Sequence, residues 1–159
     1  MQKITPFLWF NDNAEEAMNF YTSVFKNSKI KNPNYYPEGF PGVLAGKLMT
    51  ATIELEGQEF MLLNGGPLFT FNESISFFVK CETQDEVDYF WNRLTADGGE
   101  ESRCGWLKDK YGLSWQIIPN ALGQLLGDKD REKANRAMQA MMQMAKIDIA
   151  GLQNAFDGK

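Results

Sequence analysis

Ile4 to Phe10 is an apolar run closed by the polar stretch Asn11-Asp12-Asn13, and it predicts a strand. The period then changes. Ala14, Ala17, Met18, Tyr21, Val24 and Phe25 recur three and four apart, which predicts a helix with one buried face. Asp12 with Glu15 three residues on reads as the capping box of that helix. Asn27-Ser28 ends it, and Lys29 to Tyr36 is a short strand candidate. Pro37, Gly39, Pro41 and Gly42 mark a loop that runs to Gly46. Lys47 to Glu56 alternates as a long strand, Gly57 turns it, and Gln58 to Leu63 returns.

After Asn64-Gly65-Gly66-Pro67 the order of elements starts again. Ser74 to Cys81 reads as a strand, and Thr83 with Glu86 forms a second capping box. Val87, Phe90, Trp91 and Leu94 make the stripe of a second helix, which Gly98-Gly99 stops. Glu100 to Ser102 is a short strand. Trp106 to Lys110 pairs across Tyr111-Gly112 with Leu113 to Ile118. A shift of 71 places Ile4 on Ile75, Phe7 on Phe78 and Asp12 on Thr83. A shift of 55 places Gly57 on Gly112, Phe60 on Trp115 and Leu62 on Ile117. The chain is thus an internal repeat of two β-α-β-β-β units, the second with a shorter loop. Beyond Asp128, Asp130 caps a predicted helix through Ala145. Ala134, Ala137, Met138, Met141, Met142 and Ala145 share one face of it, and Ile149, Leu152 and Phe156 form a shorter stripe. That methionine-rich face suits packing on its own domain or on a second subunit.

Composition narrows the chemistry. The 159 residues contain no histidine, which removes Ser-His-Asp hydrolysis, a histidine base, and histidine-ligated zinc or haem. Hydrophobic residues are 43% and charged residues 23%, the balance of a folded globular chain. A net charge of −5 argues against nucleic acid. No run reaches 18 apolar residues, so no membrane span is expected. The first residues, Met1 to Pro6, lack a signal-peptide pattern. Two cysteines, Cys81 and Cys104, make no disulfide framework, and together these features suggest the cytoplasm.

The segments Ile4-Thr5-Pro6-Phe7-Leu8-Trp9-Phe10, Ala14-Glu15-Glu16-Ala17, Phe60-Met61-Leu62-Leu63-Asn64-Gly65-Gly66, Cys104-Gly105-Trp106-Leu107-Lys108-Asp109 and Ser114-Trp115-Gln116 resemble the PhnB-like branch of the vicinal oxygen chelate superfamily. Phe20-Tyr21 and Asp109-Lys110-Tyr111-Gly112 fit the wider superfamily, which holds glyoxalase I, extradiol dioxygenases and antibiotic-resistance proteins. Some PhnB-like members carry the label 3-demethylubiquinone-9 3-methyltransferase. The resemblance implies an α+β fold of tandem βαβββ modules whose curved sheets surround a cleft. Module one would span 1–66 and module two 74–119 of a domain 1–120, followed by a helical extension, 121–159. It implies a homodimer, and metal-using members draw ligands from the first and last strands of each unit. Those positions fall at Thr5 or Pro6, Met61, Ser76 and Gln116. None offers imidazole or carboxylate, so neither a metal nor another cofactor is expected. A methyltransferase using S-adenosylmethionine usually has a Gly-rich turn after its first strand, and no G-x-G follows a strand here.

Alternation assigns the faces. Thr5, Phe7, Trp9, Glu59, Met61 and Leu63 face the concave side of unit one. Ser74, Ser76, Phe78, Lys80, Ser114, Gln116 and Ile118 do so in unit two. Phe7, Trp9, Met61, Ser76, Phe78 and Gln116 are the expected ligand-binding residues, around an unidentified apolar or aromatic small molecule. Filling of the fold by the same aromatics is the other reading. Glu59 as a general base and Cys104 beside Arg103 as a nucleophile are the catalytic candidates. Asn64-Gly65-Gly66 either holds an anion or is a plain turn, and Asp109 fixes the last hairpin. Function stays open between metal-independent binding and an enzyme with altered metal use. An interaction module acting through the methionine face is a third possibility.

Overall fold

In the computed structural model, which describes residues 2–159, the chain divides at Phe71/Asn72 into two compact units. Unit one holds β1 (Phe7–Phe10), α1 (Ala14–Val24), β2 (Ser28–Tyr35), β3 (Leu48–Leu55) and β4 (Gln58–Asn64). Its curved sheet has the order β1-β4-β3-β2, with β1 and β4 parallel and the other pairs antiparallel. Strands β1, β3 and β4 each turn one apolar face inward, whereas edge strand β2 has no buried residue. Leu8 and Phe10, Ala51 and Ile53, and Phe60 and Leu62 meet Ala14, Ala17, Met18, Tyr21 and Val24, all buried. The helical stripe read from the sequence is the buried stripe of α1. On edge strand β2 the ladder shifts register between Lys31 and Asn34, around Pro33, which cannot donate to a neighbour.

The start of this unit differs from expectation in two places. The strand begins at Phe7, not Ile4, and Ile4 is exposed. Pro6 has no N–H to offer the ladder, although its carbonyl still accepts from Met61 N at 2.9 Å. The Asp12–Glu15 capping box does not form. Asn13 occupies the cap position without a side-chain bond. Ala14 N–H donates instead to Asn64 Oδ1 at 2.8 Å, and Asp12 turns away to Lys47 Nζ at 2.7 Å.

Unit two repeats the plan with β5 (Ser76–Cys81), α2 (Gln84–Thr95), β6 (Glu100–Glu101), β7 (Trp106–Lys108) and β8 (Ser114–Pro119), ordered β5-β8-β7-β6. Here Thr83 caps the helix as expected, and the return bond from Glu86 reaches the residue before the cap. Glu86 N donates to Thr83 Oγ1 at 3.2 Å, and Glu86 Oε2 accepts from Glu82 N at 2.6 Å. Parallel register preserves the repeat. Phe7 lies opposite Met61 in one sheet, and Phe78 lies opposite Gln116 in the other.

Three helices follow: α3 (Asn120–Leu126), α4 (Arg131–Met142) and α5 (Ile149–Asp157). The hydrophobic pattern did not single out α3, although Leu122, Leu125 and Leu126 are helically spaced. They join Ile118, Ile147 and Leu152 in one cluster. Asp130 caps α4 as expected. The helix stops at Met142 rather than Ala145, because Met144 O and Ala145 O accept from Cys104 N and Gly105 N at 2.8 Å each. On α4, Ala134 and Ala137 are buried and Met141 packs on the cluster, whereas Met138 and Met142 are exposed. Gln84 completes the docking, donating to Ile147 O and accepting from Ile149 N at 2.9 Å. Among the described residues, no helix is long and apolar enough to cross a membrane.

Candidate functional site

Each sheet has a face turned away from its helix, and register states who shares it. In unit one, Phe7, Met61, Thr52 and Lys31 form one row across β1-β4-β3-β2. Trp9, Leu63 and Thr50 form the next. In unit two, Phe78, Gln116 and Trp106 form a row across β5-β8-β7, and Ser76, Ser114 and Lys108 form the next. Alternation keeps Leu107 and Trp115 on the helix side, where both are buried. Trp106 is a site residue that the sequence alone did not single out. The signal was the two-residue period of Trp106-Leu107-Lys108, too short to assign a face until pairing with β8 fixed it.

Phe7 and Phe78 are each 54% exposed, although both are large and apolar. Trp9 is held more firmly. Its Nε1–H donates to Gly66 O at 2.9 Å, and its ring meets Phe69 edge-on at 5.1 Å. A Cβ on Gly65 would fall 2.3 Å from the indole, so only glycine fits beneath it. The anion reading of this turn is corrected by the same geometry. Gly65 N donates to Phe10 O at 2.9 Å and Gly66 N to Asn11 O at 3.0 Å, which engages both amides. Asn64 uses its side chain to start α1.

Of the two catalytic candidates, Cys104 lies apart from the aromatic rows, whereas Glu59 lies on the same face of β4 as Met61, two residues before it, and bonds to Lys31 of that row. Glu59 is at the β3–β4 hairpin end, where Lys31 Nζ donates to it at 2.9 Å and to Glu54 at 2.5 Å. The hydrogen bond and charge of Lys31 hold the Glu54 carboxyl below the usual carboxylate range. Glu59 is therefore a member of an ion-paired network with Lys31 and Glu54. Cys104 is half-buried in a tight turn with φ of 59°, and its N–H holds Met144 O. Its position serves the docking of the C-terminal helices. Cys81 is the buried thiol, and desolvation, with Glu86 adding repulsion, pushes it up to about 12. Alkylation by iodoacetamide followed by mass spectrometry should label Cys104 well before Cys81. Because the Cys81 thiolate forms only near its raised pKa, labelling of Cys81 in the folded chain should remain slow through pH 9. Equal rates at pH 8 would contradict this placement.

The positions equivalent to metal ligands can be tested by donor chemistry. Pro6 has no side-chain donor, and its carbonyl is used by Met61 N. Met61 offers a thioether. Ser76 Oγ accepts from Gln116 Nε2 at 2.9 Å. Neutral hydroxyl, amide and thioether groups do not fit a hard or borderline divalent ion. The open hollow at the start of α1, lined by Asp12, Glu15, Glu16 and Lys47 among others, lies on the helix side of the first sheet and is acidic. It shares no residue with the aromatic rows.

A family model described as 3-demethylubiquinone-9 3-methyltransferase matches residues 2–118. The PhnB protein from Bacillus cereus is 43% identical over 74% of this chain and 99% of its own, with a TM-score of 0.69. A Pseudomonas aeruginosa protein is 20% identical over 75% of this chain and 98% of its own, with a TM-score of 0.61, a likeness of fold. The chain matches no curated protein.

Proposed function

The chain belongs to the 3-demethylubiquinone-9 3-methyltransferase family, in the PhnB-like branch of the vicinal oxygen chelate superfamily, and from that premise we propose that it binds a small, mostly apolar or aromatic molecule on the open faces of its sheets without a metal. The observation that carries this is the repeated phenylalanine. Phe7 and Phe78 stand at equivalent places in two sheets, each more than half exposed, beside Met61 and Gln116. Burying such a surface against a flat hydrocarbon is favourable in proportion to the apolar area removed from water. The direct register partners of the two phenylalanines, Met61 and Gln116, are uncharged and add little desolvation cost. The methyltransferase in the family description has no weight in this reading. Among the described residues each sheet has one parallel strand pair, unlike the doubly wound parallel sheet on which dinucleotide-type cofactors rest. The expected homodimer belongs to the same proposal.

Amide chemical-shift titration with naphthalene tests it. Shifts should map to β1, β4, β5 and β8. The double substitution Phe7→Ala, Phe78→Ala should weaken binding by roughly tenfold or more, the worth of a lost aromatic contact. Unchanged affinity in a folded double variant would sink the proposal, as would shifts confined to the acidic hollow.

A further inference from the structure

Ser114 is 1% exposed, and its Oγ is a buried side-chain polar atom with no hydrogen-bond partner among the described residues. Buried hydroxyls are nearly always satisfied, and an orphan costs free energy that must be offset elsewhere. Its place is informative. Ser114 lies directly opposite Ser76 in the β5–β8 register, in the row next to Phe78, Gln116 and Trp106. Ser76 Oγ accepts from Gln116 Nε2, so the Ser76 hydroxyl proton is left to donate. The carboxamide oxygen of Gln116 remains an acceptor. The Ile118 end of the same face is closed by Leu122, Ile147 and Leu152.

We propose that Ser114, Ser76 and Gln116 form the polar floor of the unit-two face, which takes a flat two-ring aromatic bearing a carbonyl next to an N–H or O–H. This rests on the small-molecule reading above and names its ligand class. The two serine hydroxyls donate to the ligand carbonyl, and the Gln116 oxygen accepts its N–H or O–H. The rings lie against Phe78 and Trp106. Lys108 neighbours Ser114 across β7–β8, and its ammonium is paired with Glu73. A long lysine stem shifts at low cost, which gives a ligand oxygen its way to the floor.

The probe is 2-quinolinone, a flat lactam, with naphthalene as the same outline lacking polar atoms. Both are titrated against the full chain and against Ser114→Ala, followed by amide chemical shifts. The lactam should bind more tightly than naphthalene, with shifts at Ser76, Ser114 and Gln116. Ser114→Ala should lose about tenfold affinity for the lactam, the worth of one hydrogen bond, and none for naphthalene. The variant should unfold at the same temperature or higher, because its hydroxyl has no partner to lose. Equal lactam affinity in the variant overturns the inference, and so does lower thermal stability, which would reveal a partner within the fold. If naphthalene binds and the lactam does not, this inference fails while the small-molecule reading stands. If neither binds, both fail.

Discussion

Replacing Asp109 by alanine should lower the folding free energy by about 3–5 kcal/mol, since it strands several buried donors at once. Asp109 is 2% exposed. Its Oδ1 accepts from Tyr111 N at 2.9 Å and Leu113 N at 3.1 Å, and its Oδ2 accepts from Trp115 Nε1 at 2.9 Å. The carboxylate thus ties the β7–β8 turn to a buried indole on β8. That strand also carries Ser114 and Gln116 on its other face, so a loosened Trp115 disturbs the candidate site from behind. Asp109→Asn should cost less, because one oxygen still serves the two backbone donors while the amide NH2 faces the indole N–H. Urea unfolding followed by tryptophan fluorescence measures both. A loss under about 1 kcal/mol for the alanine variant would mean that water takes over the three bonds, and that the turn is wetter than its burial indicates.

Where side-chain period and burial agree, the sequence was sufficient. Ala14, Ala17, Met18, Tyr21 and Val24 are apolar at one helical spacing and form the buried face of α1. The repeat offsets 71 and 55 correspond to real pairing, since Phe7–Met61 and Phe78–Gln116 are register partners. What the sequence could not supply were contacts made by residues far apart along the chain. Asn64 caps a helix that starts 50 positions earlier. Cys104 and Gly105 end α4 by taking carbonyls about 40 positions later. Helix α3 sits between Pro119 and Gly127, a span short enough to pass for a turn. The candidate site divides in the same way. Phe7, Met61, Ser76, Phe78 and Gln116 follow from alternation. Trp106 and the unpaired hydroxyl of Ser114 required the third strand and its neighbours. Glu59 looked like an isolated acid until β2 brought Lys31 beside it.

The capping of α1 gives a direct contrast between the local and the long-range reading. If the Asp12–Glu15 pair held the helix start, Asp12→Ala would be the damaging change, at about 1 kcal/mol. The geometry reverses this. Asp12 is 41% exposed at its side chain and pairs with a lysine of similar exposure. Such a pair is worth roughly 0–1 kcal/mol, and added salt should shrink it further. Asn64 is 1% exposed and works in both directions. Its Oδ1 takes Ala14 N–H and its Nδ2 gives to Leu48 O, each at 2.8 Å, while its backbone oxygen accepts the Tyr36 hydroxyl at 2.8 Å. Asn64→Ala therefore leaves a buried helix-start N–H and a buried strand carbonyl without partners, and should cost about 2–4 kcal/mol. Asn64→Asp should be nearly as harmful, because a carboxylate can cap Ala14 but repels Leu48 O. Urea midpoints of the three variants decide the matter. The expected order of loss is Asn64→Ala, then Asn64→Asp, with Asp12→Ala close to the parent chain. A larger loss for Asp12→Ala than for Asn64→Ala would restore the local cap and remove Asn64 from its place as the link between β4, β3 and α1.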